Sequence, residues 1–219
     1  MRTRPLVLVF AGGLLVPPIT ESASTPLPVH VAARLYNTAQ VDAIVKDAAL
    51  RAATGVLVAA GIDLRWKNCD IAEACVRAPA RGELVVRLVR TPSQAAARTN
   101  QIVPATTPTP RGERGSGRRN DTPLVLGEAF IDTRARTGTL ATVFVDHVEL
   151  IAALSETDAA VLLGRSIAHE IGHLLLGTTA HSVRGLMRAQ WTVADVRRHA
   201  SGDWALTTED AAAIRSRLQ

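Results

Sequence analysis

The sequence predicts an α/β domain with a mixed, mostly parallel sheet, and three observations carry that prediction. Residues 29–66 read as strand, helix and strand in turn, which is a parallel pair joined by a right-handed crossover. Further strand-like runs follow at residues 83–90, 124–132 and 139–147. A run over residues 156–176 is apolar almost all round at helical spacing, as a helix inside a core is.

The chain has 219 residues, enough for one well-packed domain. Arg2 and Arg4 precede an apolar run at 6–16, then Pro17-Pro18 and the small residues Ser22-Ala23-Ser24. That order reads as a secretory signal over residues 1–24, too short to remain as a membrane span. A retained N-terminal anchor is the alternative. No later segment has the uncharged length of a span. The expectation is therefore one exported domain over residues 25–219, secreted or periplasmic, taken as a monomer.

Residues 29–37 form the first strand. Thr38 is a suitable N-cap for a helix over about 39–60, whose stripe is Val41, Ile44, Val45, Ala48, Ala49 and Ala52, closed by Gly61. Ile62-Asp63-Leu64-Arg65-Trp66 alternates apolar with charged residues, as a half-buried strand does. Cys69 and Cys75, the only cysteines, lie six apart. In an oxidising compartment they close a small loop as a disulfide; two free thiols are the alternative.

After the strand at 83–90 the apolar periodicity stops. From about 92 to 123 the chain is rich in Pro, Gly and Arg and buries too little to offset the entropy of ordering it. It reads as a mobile surface insertion within one domain. The strands at 124–132 and 139–147 follow, joined by a loop with Gly138, and Asp146-His147 closes the second as a strand-end pair. The buried helix has Ser155 or Thr157 as its cap. A short helix over 191–199 and a final one from about 206 to 215, capped by Thr207 or Thr208, complete the chain.

A net charge of +5 and a pI near 10.2 raise the question of nucleic acid. Only Lys46 and Lys67 are lysines, the arginines are spread along the chain, and aromatics make up 3% of it. No nucleic-acid partner is expected.

Chemistry concentrates in the buried helix. His169-Glu170-Ile171-Gly172-His173 is H-E-x-x-H. Residues four apart share a helix face, so His169 and His173 point two imidazoles at one ion. Glu170 is rotated about 100° away, beside the ion. Two neutral imidazoles with a nearby base suit zinc and its water. Burying Glu170 is costly unless something compensates, and such a centre does so. Gly177 ends the helix, and His181 lies four residues beyond the turn. Gly185-Leu186-Met187 follows, with the only methionine besides the initiator.

This pattern resembles the metzincin zinc metallopeptidases, matrixins and archaemetzincins among them, which have H-E-x-x-H-x-x-G-x-x-H, with three residues before the glycine in the archaemetzincin branch, and a methionine turn. Here three residues, not two, stand on each side of Gly177. Leu126-Gly127-Glu128-Ala129-Phe130 is also similar to the matrixin edge-strand signature L-x-x-A-F/Y. The resemblance implies a zincin-like sheet with one antiparallel edge strand, a backing helix, a central zinc-binding helix and a C-terminal helix. It implies one catalytic zinc ion on His169, His173 and His181, Glu170 as general base, and Met187 as an apolar floor. Gly127 and Ala129 are then expected to bind a polypeptide substrate as an added strand.

The expected activity is zinc-dependent hydrolysis of peptide bonds. One alternative is an exported zinc-binding protein without catalysis. Another is a gluzincin-like hydrolase in which Glu209 or Asp203 is the third ligand and His181 a surface residue.

Overall fold

The computed structural model describes residues 29–70, 75–91, 124–198 and 201–219. The expected signal, residues 1–24, and the whole of the insertion at about 92–123 lie outside these residues.

Val29–Asn37 (β1), Ala43–Ala59 (α1) and Ile62–Asn68 (β2) form the expected crossover unit, with β1 and β2 parallel and Val29 opposite Ile62. Leu84–Val89 (β3) pairs with β1, also in parallel. Gly127–Asp132 (β4) and Thr137–Phe144 (β5) are antiparallel to each other, and β5 runs parallel to β3. The strand order is β2-β1-β3-β5-β4, a mostly parallel sheet with one antiparallel strand at its edge. That is the fold class the sequence predicts.

Three boundaries differ from expectation, each for a local reason. Thr38 does not cap α1; its hydroxyl donates to the Leu88 carbonyl. The Asn37 side chain bridges to Val41, Gln40 takes φ +55°, and Asp42 caps the helix by accepting from Ile44 N at 2.8 Å. The buried stripe is consequently Lys46, Ala49, Ala53 and Leu57, with Ile44 and Val45 exposed. Lys46 is tolerated there because Asp70 pairs with it.

The second correction is a helix where sequence reading continues a strand. Val145–Ser155 is α2, so Asp146 and His147 belong to its first turn. Asp146 accepts from the Thr91 amide and hydroxyl, and His147 Nδ1 donates to the Val125 carbonyl at 2.6 Å. Third, the central helix α3 spans Ala159–Leu176, and its cap is Asp158 rather than Ser155 or Thr157. The last two α-helices, Val193–Arg198 (α4) and Thr208–Leu218 (α5), agree with expectation: they start at Thr192 and at Thr207, one of the two expected caps, and these hydroxyls accept from Asp195 N and Asp210 N.

The core lies where α1 and α3 pack together and against the sheet, around Leu35, Val86, Leu88, Val143, Leu162, Ile167 and Ile171. The helices approach closely at Gly164, where a Cβ would lie 2.4 Å from the Ala49 carbonyl oxygen. By length and composition α3 is apolar enough to cross a membrane, although Arg165 and Glu170 interrupt its uncharged run. It is 83% buried within the fold, as a core helix is. Cys69 and Cys75 are joined as a disulfide beside the end of β2.

Candidate metal centre

The site is built on the last two turns of α3. The stretch Ala168–Leu176 is buried throughout because sheet, α1 and α5 surround it. Its chain reverses at Gly177, which takes the left-handed φ of +61° and donates to the His173 carbonyl at 2.9 Å. The reversal does two things. It turns the Thr178 carbonyl onto His173 Nδ1 at 2.9 Å, and it brings His181 back towards the helix.

His169 is held in the same way, with Nδ1 2.8 Å from the Leu186 carbonyl. A carbonyl oxygen only accepts, so both Nδ1 atoms carry the proton and both Nε2 atoms are left with lone pairs. Those lone pairs converge. His173 Nε2 lies 3.1 Å from His169 Nε2 and 3.2 Å from His181 Nε2, and the three possible ligand atoms all lie within 4.8 Å of one another.

Burial pushes the His169 imidazole down to about 4 and lowers those of His173 and His181 as well. The rings are therefore neutral near pH 7, and no proton is available to bridge the facing nitrogens of His169 and His173. Three such nitrogens form a donor set for a metal cation, which this cluster can hold.

Glu170 is 5% exposed, and burial together with the nearby Glu128 raises its carboxyl to about 8. It packs on the edge strand: a Cβ at Gly127 would lie 2.8 Å from Glu170 Cγ and Oε1. Met187 is fully buried beneath α3, where a Cβ at Gly172 would lie 2.5 Å from its sulfur.

A cavity of about 670 Å³ opens over the histidines and Glu170. Gly127 and Ala129 of β4 line one side, and Arg188 and Trp191 also border it. The cluster and both expected substrate-binding residues thus meet in one place. Glu209 and Asp203 do not join it. Glu209 is exposed beside Arg184 at 3.7 Å, and Asp203 pairs with Arg198 at 3.3 Å.

No family model matches this chain, and no curated protein matches it. What the site can do is read from its own chemistry.

Sequence reading passes over the residues that support His169 from behind. Trp191 meets its ring edge-on at 5.3 Å, Trp204 meets Trp191 at 4.9 Å, and the Arg165 guanidinium lies 4.1 Å over Trp204. The available signal is that two of the three tryptophans follow the methionine turn. Arg188 and Glu128 are also missed, because single charged residues in loops and on edge strands have no distinguishing pattern.

Proposed function

We propose that the protein is a zinc-dependent endopeptidase of metzincin type. One observation carries the reading: three neutral imidazole nitrogens converge beside a buried carboxyl at the floor of an open cavity. Zinc suits an all-imidazole set, and ideal tetrahedral bonds of about 2.0–2.1 Å separate two ligand nitrogens by about 3.3 Å. The observed 3.1 and 3.2 Å lie close to that. His169, His173 and His181 would hold the ion, with Leu186 and Thr178 fixing two of the rings through their carbonyls.

Zinc bound there supplies Lewis acidity towards a carbonyl and makes water more acidic. Glu170 accepts the proton of the attacking water and returns it to the leaving amine. Its raised carboxyl resists ionisation in the isolated pocket, and positive charge beside it favours the carboxylate that a base needs. Gly127 and Ala129, on an edge strand paired only with β5 among the described residues, present backbone for an extended polypeptide to join. Met187 closes the site from below as an apolar floor. The Cys69–Cys75 disulfide supports an exported protein, secreted or periplasmic.

The test is metal analysis of the purified protein with chelator-sensitive cleavage of unfolded casein or gelatin. Glu170→Gln is expected to keep one zinc per chain and lose at least about 100-fold in rate. Stoichiometric zinc without wild-type turnover would leave a non-catalytic zinc protein and overturn the peptidase. Absence of stoichiometric metal would overturn the centre itself.

A further inference from the structure

We propose that Arg188 selects substrates that carry a carboxylate, binding it at the wall of the cavity that Arg188 and Trp191 form. The inference rests on the peptidase reading and adds a substrate class to it.

The position of Arg188 is set by the site. It follows Met187, and Leu186, two residues earlier, holds His169. Its side chain is only 18% exposed, yet its nitrogens are poorly served. Nη1 lies 3.5 Å from Asp195 Oδ1, an oxygen that also accepts from Arg198 Nη2 at 2.6 Å. The other Asp195 oxygen is taken by the Thr192 amide and hydroxyl. Nε and Nη2 of Arg188 are buried and have no acceptor among the described residues.

Buried donors without partners are rare in folded proteins and call for an explanation. A planar guanidinium with free N–H groups matches a carboxylate in two parallel bonds. Trp191 beside it offers an apolar face for the methylenes of a glutamate-type side chain. An amide of the same shape supplies a single neutral acceptor, and a cationic side chain meets repulsion.

Two dipeptide hydroxamates, identical except for a glutamate or a glutamine side chain, test this by calorimetry on the zinc-loaded protein. The wild type is expected to bind the glutamate compound at least about tenfold more tightly. Arg188→Met, with its metal content and melting temperature unchanged, is expected to bind both equally. Equal binding by the wild type overturns the inference and leaves the zinc centre standing, and it decides the matter even if Arg188→Met fails to fold. A preference that survives in Arg188→Met also overturns it. Failure of both compounds to bind the wild type overturns the metal reading, and this inference with it.

Discussion

Gly127 on the edge strand leaves the space that Glu170 occupies: any Cβ there would stand 2.8 Å from Cγ and Oε1 of the glutamate. A residue expected to touch substrate thus has a second role, as the surface on which the proposed base rests. Gly127→Ala is expected to push that carboxyl aside while sparing the histidines. Misplacement of this kind costs a tenfold to hundredfold loss in kcat/KM, about 1.4–2.7 kcal/mol. Kinetics with zinc analysis check it; loss of zinc together with rate would mean that the strand, not the base, had moved.

Metal binding should register as stability. A ligand at 1,000 times its Kd stabilises the native state by about 4 kcal/mol, or roughly 8–16 °C for a domain of this size. Chelation of the wild type is expected to lower the melting temperature by that order, and His181→Ala to remove most of the difference. An unchanged increment in His181→Ala would restore His181 to a surface role.

Gly172→Ala sets two effects against each other. Alanine in a helix interior gains about 1 kcal/mol over glycine. The new methyl meets the Met187 sulfur at 2.5 Å, and overpacking a core costs about 1–3 kcal/mol. The clash is expected to win, with a net loss of up to about 2 kcal/mol in urea unfolding. Combining it with Met187→Ala should cost less than the sum of the two single changes, because the contact is shared.

Asp195 gives a pH signature. Hydrogen bonds from Thr192, then the charges of Arg188 and Arg198, hold its carboxyl down to about 2, against an ordinary 3.8. Its contribution is therefore fully present above about pH 4 and is lost as pH falls through 2. Asp195→Asn removes the charged acceptor that Thr192, Arg188 and Arg198 face, and is expected to lower stability by about 1 kcal/mol at pH 7. Melting curves of the two proteins should converge between pH 4 and 2. Parallel curves through that window would remove the ionic explanation.

Most of the site is readable in the sequence because helix geometry is local. The spacing of His169, Glu170 and His173 decides their directions, and Gly177 announces the reversal that returns His181. The crossover from β1 through α1 to β2 is legible from periodicity alone. The hidden element is α2. Val143 and Val145 continue the alternation of β5, and the helix begins at Phe144 without a side-chain cap, glycine or proline to mark the change. Its buried residues Val145, Val148 and Ala152 do follow a helical period, but three positions are too few to override the strand before them. Missing α2 shifts the next boundary too. Glu156, which looks like the start of α3, has φ +55° and closes α2 instead. Arg188 and Trp191 reach the cavity only through tertiary folding, which no spacing rule encodes.

Main-chain oxygens of Leu186 and Thr178, rather than acidic side chains, orient two of the three rings. Such anchors carry no titratable proton and persist for as long as the backbone keeps its course. The two rings therefore keep their aim without help from an ion, and a cation that reaches the cluster meets donors already in place.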